Sequence, residues 1–132
     1  MSLEPIELRK QNARTRTFKA VFPGETNHYD TLFGGTALQL MDEVAFIAAT
    51  RFARAKVVTV SSDKVNFKMP IPTGSLVELD AQIGKVGTSS IEVTVDVYKE
   101  DMFTDDRILA LSGSFVLVAI DDNKKPMKLG AM

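Results

Sequence analysis

The 132 residues carry 16 Lys and Arg against 17 Asp and Glu, a formal net charge of −1, with 45% hydrophobic and 25% charged side chains, the proportions of one ordinary globular domain. Without cysteine there is no disulfide framework, no thiolate nucleophile and no Cys-based zinc site, and a single histidine excludes ligation by several imidazoles. A balance this close to zero also argues against broad nucleic-acid binding, which calls for a strongly basic face.

The amino-terminal stretch MSLEPIELRKQNARTRTF lacks the apolar core of a secretory signal and reads as a polar arm. The most apolar stretch, Gly34 to Thr50, is shorter than a spanning helix and has Asp42 and Glu43 at its centre. A soluble, cytoplasmic protein with no membrane partner is the expectation.

After the arm, Thr15 to Phe22 alternates as a first strand, which Pro23-Gly24 ends. The polar loop ETNHYDTLFGG leads into a segment from Gly35 to about Ala53. Its Ala, Leu, Met and Gln content and its length predict a helix, apolar nearly all round, that protein must cover on most sides. Lys56 to Met69 reads as a strand, and Pro70 and Pro72-Thr73-Gly74 make a turn. Val77, Leu79, Ala81 and Ile83 then alternate with polar residues, as do Ile91, Val93, Val95 and Val97, so each strand has one dry face. A short hairpin, KVGTSS, joins these two strands, with Gly87 available for a positive φ. Arg107 to Ile120 is apolar on both faces, which fits a strand in the middle of a sheet or one covered by a partner subunit. No repeat or linker interrupts residues 1–132, and one sheet curled around one helix is the economical arrangement.

Asp42 has Leu38, Gln39, Ala45 and Phe46 three and four positions away, so its carboxylate emerges among mostly apolar side chains and is a candidate base. The plainer reading is a partly exposed helical acid at a subunit boundary. Gly34 and Gly35 at a helix start leave backbone N–H groups open to a ligand oxygen, where the helix dipole adds positive charge; Gly-Gly there also serves as a plain capping device. Asn27 either orients a water or a carbonyl, or closes an Asx turn. Between Arg51 and Lys68, the cations Arg51, Arg54, Lys56, Lys64 and Lys68 face only Asp63, a patch that suits phosphates or a solvated face.

The loop from Pro23 through Thr26-Asn27, LFGG and LQLMDEVAFIAATRF resembles the active-site loop and central helix of the acyl-CoA thioester hydrolases of the hotdog fold. The likeness continues through VVTVSSDKVNFKMPIPTGSLVELDAQIGKVGTSSIEVTVDVY and the last strand. It implies an α+β fold with an antiparallel sheet wrapped around the helix, and hydrolysis of acyl-CoA to a free fatty or other carboxylic acid and coenzyme A. Carried over by position, the catalytic carboxylate falls on Asp42, the loop asparagine on Asn27, and the carbonyl-polarising amide on Gly35 or Gly34. Phe33, Phe46 and the hairpin Gly87-Thr88-Ser89-Ser90 fall at substrate-contacting positions, and Lys64 and Lys68 of the charged stretch are candidates for contacts with the substrate's phosphates. Relatives often have a small residue at the place of Phe46, so a Phe reshapes the acyl pocket. They often carry an arginine in the hairpin, whose charge Thr88 cannot supply to a coenzyme A phosphate. The resemblance implies homodimers with sites shared between chains, assembled into tetramers or hexamers, and neither metal nor cofactor beyond the substrate's own coenzyme A. Two rivals share the architecture: a dehydratase pairing His28, fourteen positions before Asp42, with that acid, and an acyl-CoA binding module without turnover.

Overall fold

A computed structural model describes residues 6–129, the side chain of Lys64 excepted. The elements in chain order are helix α1 (Ile6–Ala13), strand β1 (Thr15–Ala20), a 3₁₀ turn (Pro23–Glu25), helix α2 (Gly34–Ala53), and strands β2 (Lys56–Phe67), β3 (Ser75–Val86), β4 (Ser90–Asp101) and β5 (Arg107–Ile120). The five strands form one antiparallel sheet in the order β1-β3-β4-β5-β2. This is the α+β arrangement that the hydropathy pattern implies. Among the described residues no helix is long and apolar enough to cross a membrane.

Period-2 alternation puts Val77, Leu79 and Ala81 of β3 and Val93, Val95 and Val97 of β4 on the inner face, fully buried. Met41, Val44, Ala45, Ala48, Ala49 and Phe52 of α2 pack against them, the i, i+3, i+4 stripe of an amphipathic helix. Truncating Phe52, which is 1% exposed, to alanine is expected to cost about 4 kcal/mol. Gly113 lets the layers close: a Cβ there would stand 3.0 Å from Val65 and 3.1 Å from the Met41 methyl.

Four details differ from the expectations. The amino-terminal arm contains α1, held by the Arg9 guanidinium, which donates to the Phe52 carbonyl at 2.9 Å and lies over the Phe52 ring. The first strand stops at Ala20, because Pro23–Glu25 turns the chain away. Gly87 keeps a negative-side backbone, and among the described glycines only Gly74 has positive φ; Gly87 is needed instead for close approach, since a Cβ would meet the Ser90 hydroxyl at 2.5 Å. The sheet covers one side of α2 only, leaving Phe46 47% and Ile47 39% exposed. Beside them β2 pairs with β5 along one edge and shows Val58, Val60 and Phe67 to the outside. The two-faced β5 lies between β4 and β2, in the sheet interior.

Candidate active site

Asp42 sits midway along α2, half buried, and its Oδ1 accepts a 2.7 Å hydrogen bond from the Thr59 hydroxyl on β2. A hydrogen bond to an ionised oxygen fixes the carboxylate's rotamer and leaves its second oxygen to act outward. Thr59 had no signal in the sequence: it stands in a β-branched run whose facing of Asp42 depends on how β2 crosses the helix. Glu43, the adjacent acid, is exposed.

Asn27 organises the loop before α2. Its Oδ1 accepts from the Tyr29 and Thr31 amides at 2.8 and 3.2 Å and from the Thr31 hydroxyl at 3.2 Å, while its own N–H donates to the Thr31 carbonyl at 2.8 Å. The Asx-turn reading therefore holds. It is compatible with a second role, because the carboxamide NH₂ remains as a donor for a water or a carbonyl. His28 stacks on Tyr29 in the same turn, ring centroids 4.0 Å apart, and both are exposed.

Helix α2 begins after Phe33, whose carbonyl accepts the first helical bond from Ala37 at 3.0 Å, with no side-chain cap. The amides of Gly34 and Gly35 precede that bond and are orphan donors at the positive end of the dipole. The two glycines differ. Gly34 lies against the Phe67 ring, where a Cβ would make ordinary contact at 3.5 Å, whereas nothing stands within 4 Å of a Cβ on Gly35. Neither has positive φ. The bare backbone of Gly35 thus answers no need inside the chain and leaves room for an approach from outside. Phe33 is 50% exposed beside it.

The remaining nominated residues lie elsewhere. Lys68 is exposed beyond β2, its N–H donates to the Ala110 carbonyl at 2.8 Å, and its charge acts on Asp96 of β4. The Lys64 side chain lies outside the described residues. The hairpin Gly87–Ser90 sits at the opposite end of α2 from Gly35: the Thr88 carbonyl accepts from the Leu129 amide at 2.8 Å, and Leu129 lines a pocket with Ala53 and Arg54. The expected cationic patch is dispersed, because Arg51 donates to the Asn12 and Arg14 carbonyls and the Thr15 hydroxyl, and Lys56 pairs with Asp122 at 2.9 Å. Among the described residues no cluster of three or more His, Asp or Glu could hold a metal ion.

The outer face of the sheet carries a separate charge network. Asp80, 3% exposed, receives the Arg14 guanidinium in a two-pronged pair and has Arg16 3.8 Å away; Arg107 donates two hydrogen bonds to Glu78 and lies 3.6 Å over the Tyr98 ring. The Arg14 hydrogen bond holds the Asp80 carboxyl below its usual range. Burial, seconded by the Asp80 charge, pushes Asp96 up.

Comparison with known proteins accords with these features. The family profile of the thioesterase superfamily matches residues 29–103. A Bacillus subtilis protein named as an uncharacterized acyl-CoA thioester hydrolase is 44% identical over 107 residues, which is 81% of this chain and 62% of the relative's length. The chain thus spans less than two thirds of that relative. The acyl-CoA hydrolase of Staphylococcus aureus, solved with butyryl coenzyme A, coenzyme A and coenzyme A disulfide, superposes with a TM-score of 0.87 at 39% identity over 90% of this chain and 73% of that one. The same enzyme has been solved with an aspartate, an asparagine or a threonine replaced by alanine, the residue types found here at Asp42, Asn27 and Thr59. A hexameric acyl-CoA thioesterase superposes with a TM-score of 0.87 at 35% identity over 90% of this chain and 76% of its own. The orphan amides at the head of α2, the anchored Asp42 and these matches have one conclusion: the chain belongs to the thioesterase superfamily.

Proposed function

We propose that this chain hydrolyses acyl-CoA thioesters to a free carboxylic acid and coenzyme A, in a site shared between two copies. The carrying observation is the combination of the Thr59-anchored Asp42 with the unobstructed Gly35 amide. The amide receives the developing oxyanion at the positive end of α2. Asp42, held by the Thr59 hydroxyl, either takes a proton from the attacking water or attacks the carbonyl itself. The Asn27 NH₂ orients the water or the substrate. The thiolate of coenzyme A leaves as the tetrahedral species collapses.

Helix geometry supports sharing between copies. Gly35 and Asp42 are seven residues apart, nearly two turns, so they lie on one face but about 10 Å apart along the axis. One thioester carbonyl reaches groups about 3 Å away and cannot engage both in one chain. A second copy related by a two-fold axis, its α2 running the other way, brings its own Gly35 beside Asp42. The exposed side of α2 and the open edge of β2 supply the docking surface, with Phe46, Ile47, Val58 and Val60 in view.

Thiol release measured with short, medium, long and aromatic acyl-CoAs tests the reading. Asp42→Asn is expected to lower turnover by about 10²-fold or more with folding intact. A folded Asp42→Asn protein that turns over at the unmodified rate would overturn the assignment.

A further inference from the structure

We propose that Thr31 is a positioning residue for the reaction: its hydroxyl, carried on backbone pinned to the core, holds the Asn27 carboxamide so that the NH₂ faces the substrate, an inference that rests on the acyl-CoA reading above. A carboxamide has an oxygen at one end and NH₂ at the other, and χ2 of asparagine has no narrow rotamer wells, so its neighbours decide which end points where. Three donors converge on the Asn27 oxygen: the Tyr29 N–H at 2.8 Å, and the Thr31 N–H and hydroxyl, both at 3.2 Å. The NH₂ has no bond to any described residue.

The three donors contribute differently. The two backbone N–H groups can only donate, so they select the oxygen and turn the NH₂ outward. The Thr31 hydroxyl adds a third bond from a side chain and limits the swing of the carboxamide about that oxygen. Threonine is β-branched and stiff at χ1, so the direction of its hydroxyl follows the backbone of residue 31. That matters for rate, because a donor held in place orients a reacting group and a displaced one loses much of the effect.

Anchorage separates Thr31 from the rest of the turn. Tyr29 is 73% exposed, and Asp30 stands exposed in the left-handed region at φ 61, so the tip of the turn lies in solvent. Thr31 is half buried and bridges Pro72 as an isolated antiparallel pair. On one side of it the Asp30 carbonyl accepts from the Thr73 amide at 2.9 Å; on the other the Leu32 amide donates to the Ile71 carbonyl at 2.8 Å. Ile71 is 2% exposed, and Pro70 and Pro72 flank it with fixed φ, so the segment that receives these bonds has little freedom of its own. The Thr31 carbonyl also accepts from the Asn27 amide at 2.8 Å, which closes the turn. Position therefore passes from the buried Ile71 through Thr31 to Asn27, and the turn at residues 70–74, distant in sequence, becomes part of the frame of the site.

Steady-state hydrolysis of acyl-CoA by Thr31→Val, Thr31→Ala and Thr31→Ser tests the role, with thermal melts to verify that each protein is folded at the assay temperature. Valine keeps the shape and the β-branch without the hydroxyl, alanine removes the hydroxyl without crowding the bridge to Pro72, and serine keeps it. Loss of the hydroxyl is expected to lower kcat about fivefold with KM unchanged, the worth of one hydrogen bond, while Thr31→Ser stays within about twofold. Asn27→Asp supplies the companion background. Its carboxylate still accepts from the same donors but carries no NH₂, so kcat is expected to fall about 10²-fold, and adding Thr31→Val should then cost nothing more. Unchanged kcat in both the valine and alanine variants overturns the role. An equal fall in Thr31→Ser, a rise in KM at constant kcat, or the same fivefold fall repeated in the Asn27→Asp background overturns it too, because Thr31 then acts through packing, through contact with substrate or independently of the carboxamide. Asn27→Asp at the unmodified rate strikes the role of Asn27 in the proposed function, and Thr31 with it; failure of Thr31 alone leaves Asn27→Asp slow, so the two failures are told apart.

Discussion

Replacing Gly35 with proline removes one N–H and little else, which makes it a sharp probe of a site divided between chains. Gly35 is the second residue of α2, where an N–H has no intrahelical acceptor and proline is tolerated, and a side chain there meets no atom within 4 Å. Loss of one oxyanion donor is expected to lower turnover about 10²- to 10³-fold. Asp42→Asn gives a second inactive protein. If one chain supplies the acid and the other the amide, random mixing of the two makes half the dimers mixed. Each mixed dimer pairs an intact Asp42 from one parent with an intact Gly35 from the other at one of its two sites. Mixing should therefore restore about a quarter of the unmodified activity from two parents that have almost none. The assay is thiol release after denaturing and refolding the two proteins together, with differently tagged chains captured in sequence to verify exchange. Activity that stays at the average of the parents, with mixed dimers present, would refute the geometric reasoning.

Other outcomes follow from the same contacts. Thr59→Val keeps the shape of β2 but frees the Asp42 carboxylate, and a fall in kcat of about tenfold is expected, the worth of a hydrogen bond to a charged group; equal kcat would show that Thr59 does not position the acid. His28→Ala should leave hydrolysis within about threefold, since the ring only stacks on Tyr29 in an exposed turn, whereas a dehydratase using His28 would lose nearly all activity. Arg14→Ala leaves Asp80 buried with Arg16 as its nearer remaining cation. With the Arg14 side chain 40% exposed, the loss at neutral pH is expected near 2 kcal/mol, below the range for fully buried pairs. Because Asp80 is depressed in the folded state, that stabilisation is present above the ordinary value of 3.8 and disappears as pH falls through the lowered one, so thermal melts of the two proteins should converge in acid. Asp96 has the opposite sign. Its carboxyl is raised above 3.8, so ionisation opposes folding as pH climbs, and Asp96→Asn should raise Tm at pH 7 with no gain below that value.

The sheet was legible because burial on one face imposes period 2: Val77 to Ala81 and Val93 to Val97 alternate as written and lie buried as read. The central helix was legible because twenty residues of mostly straight-chain and small side chains exceed any ordinary strand. What escaped depended on contacts distant in sequence. α1 is polar and has almost no amphipathic pattern; it is a helix because Arg9 and its neighbours find the end of α2, forty-three residues away. Thr59 meets Asp42 only through the crossing of β2 over α2. The supposed basic patch was a fact about composition: strand and helix geometry turned Arg51 inward to carbonyls and set Lys56 against Asp122. At Asn27 the turn reading holds, its side-chain oxygen accepting from Tyr29 and Thr31, and the role of its nitrogen is part of the proposal.

The distribution of charge bears on which side of the molecule would meet a second copy in the proposed pairing. On the outer face of β3, Glu78 and Asp80 would be costly beneath a partner if they were bare, but Arg14, Arg16 and Arg107 already satisfy them within the chain. Docking there would desolvate three guanidinium groups for little apolar gain. The opposite side has the reverse balance: Phe46, Ile47, Val58, Val60 and Phe67 are exposed along α2 and the open edge of β2, and their burial returns about 25 cal/mol for each Å² of apolar surface. That is also the side on which Asp42 is held by Thr59, about 10 Å along the helix axis from the Gly35 amide of its own chain. The surface that most needs covering and the acid that most needs a partner therefore coincide, and a two-fold pairing along α2 and β2 meets both needs at once.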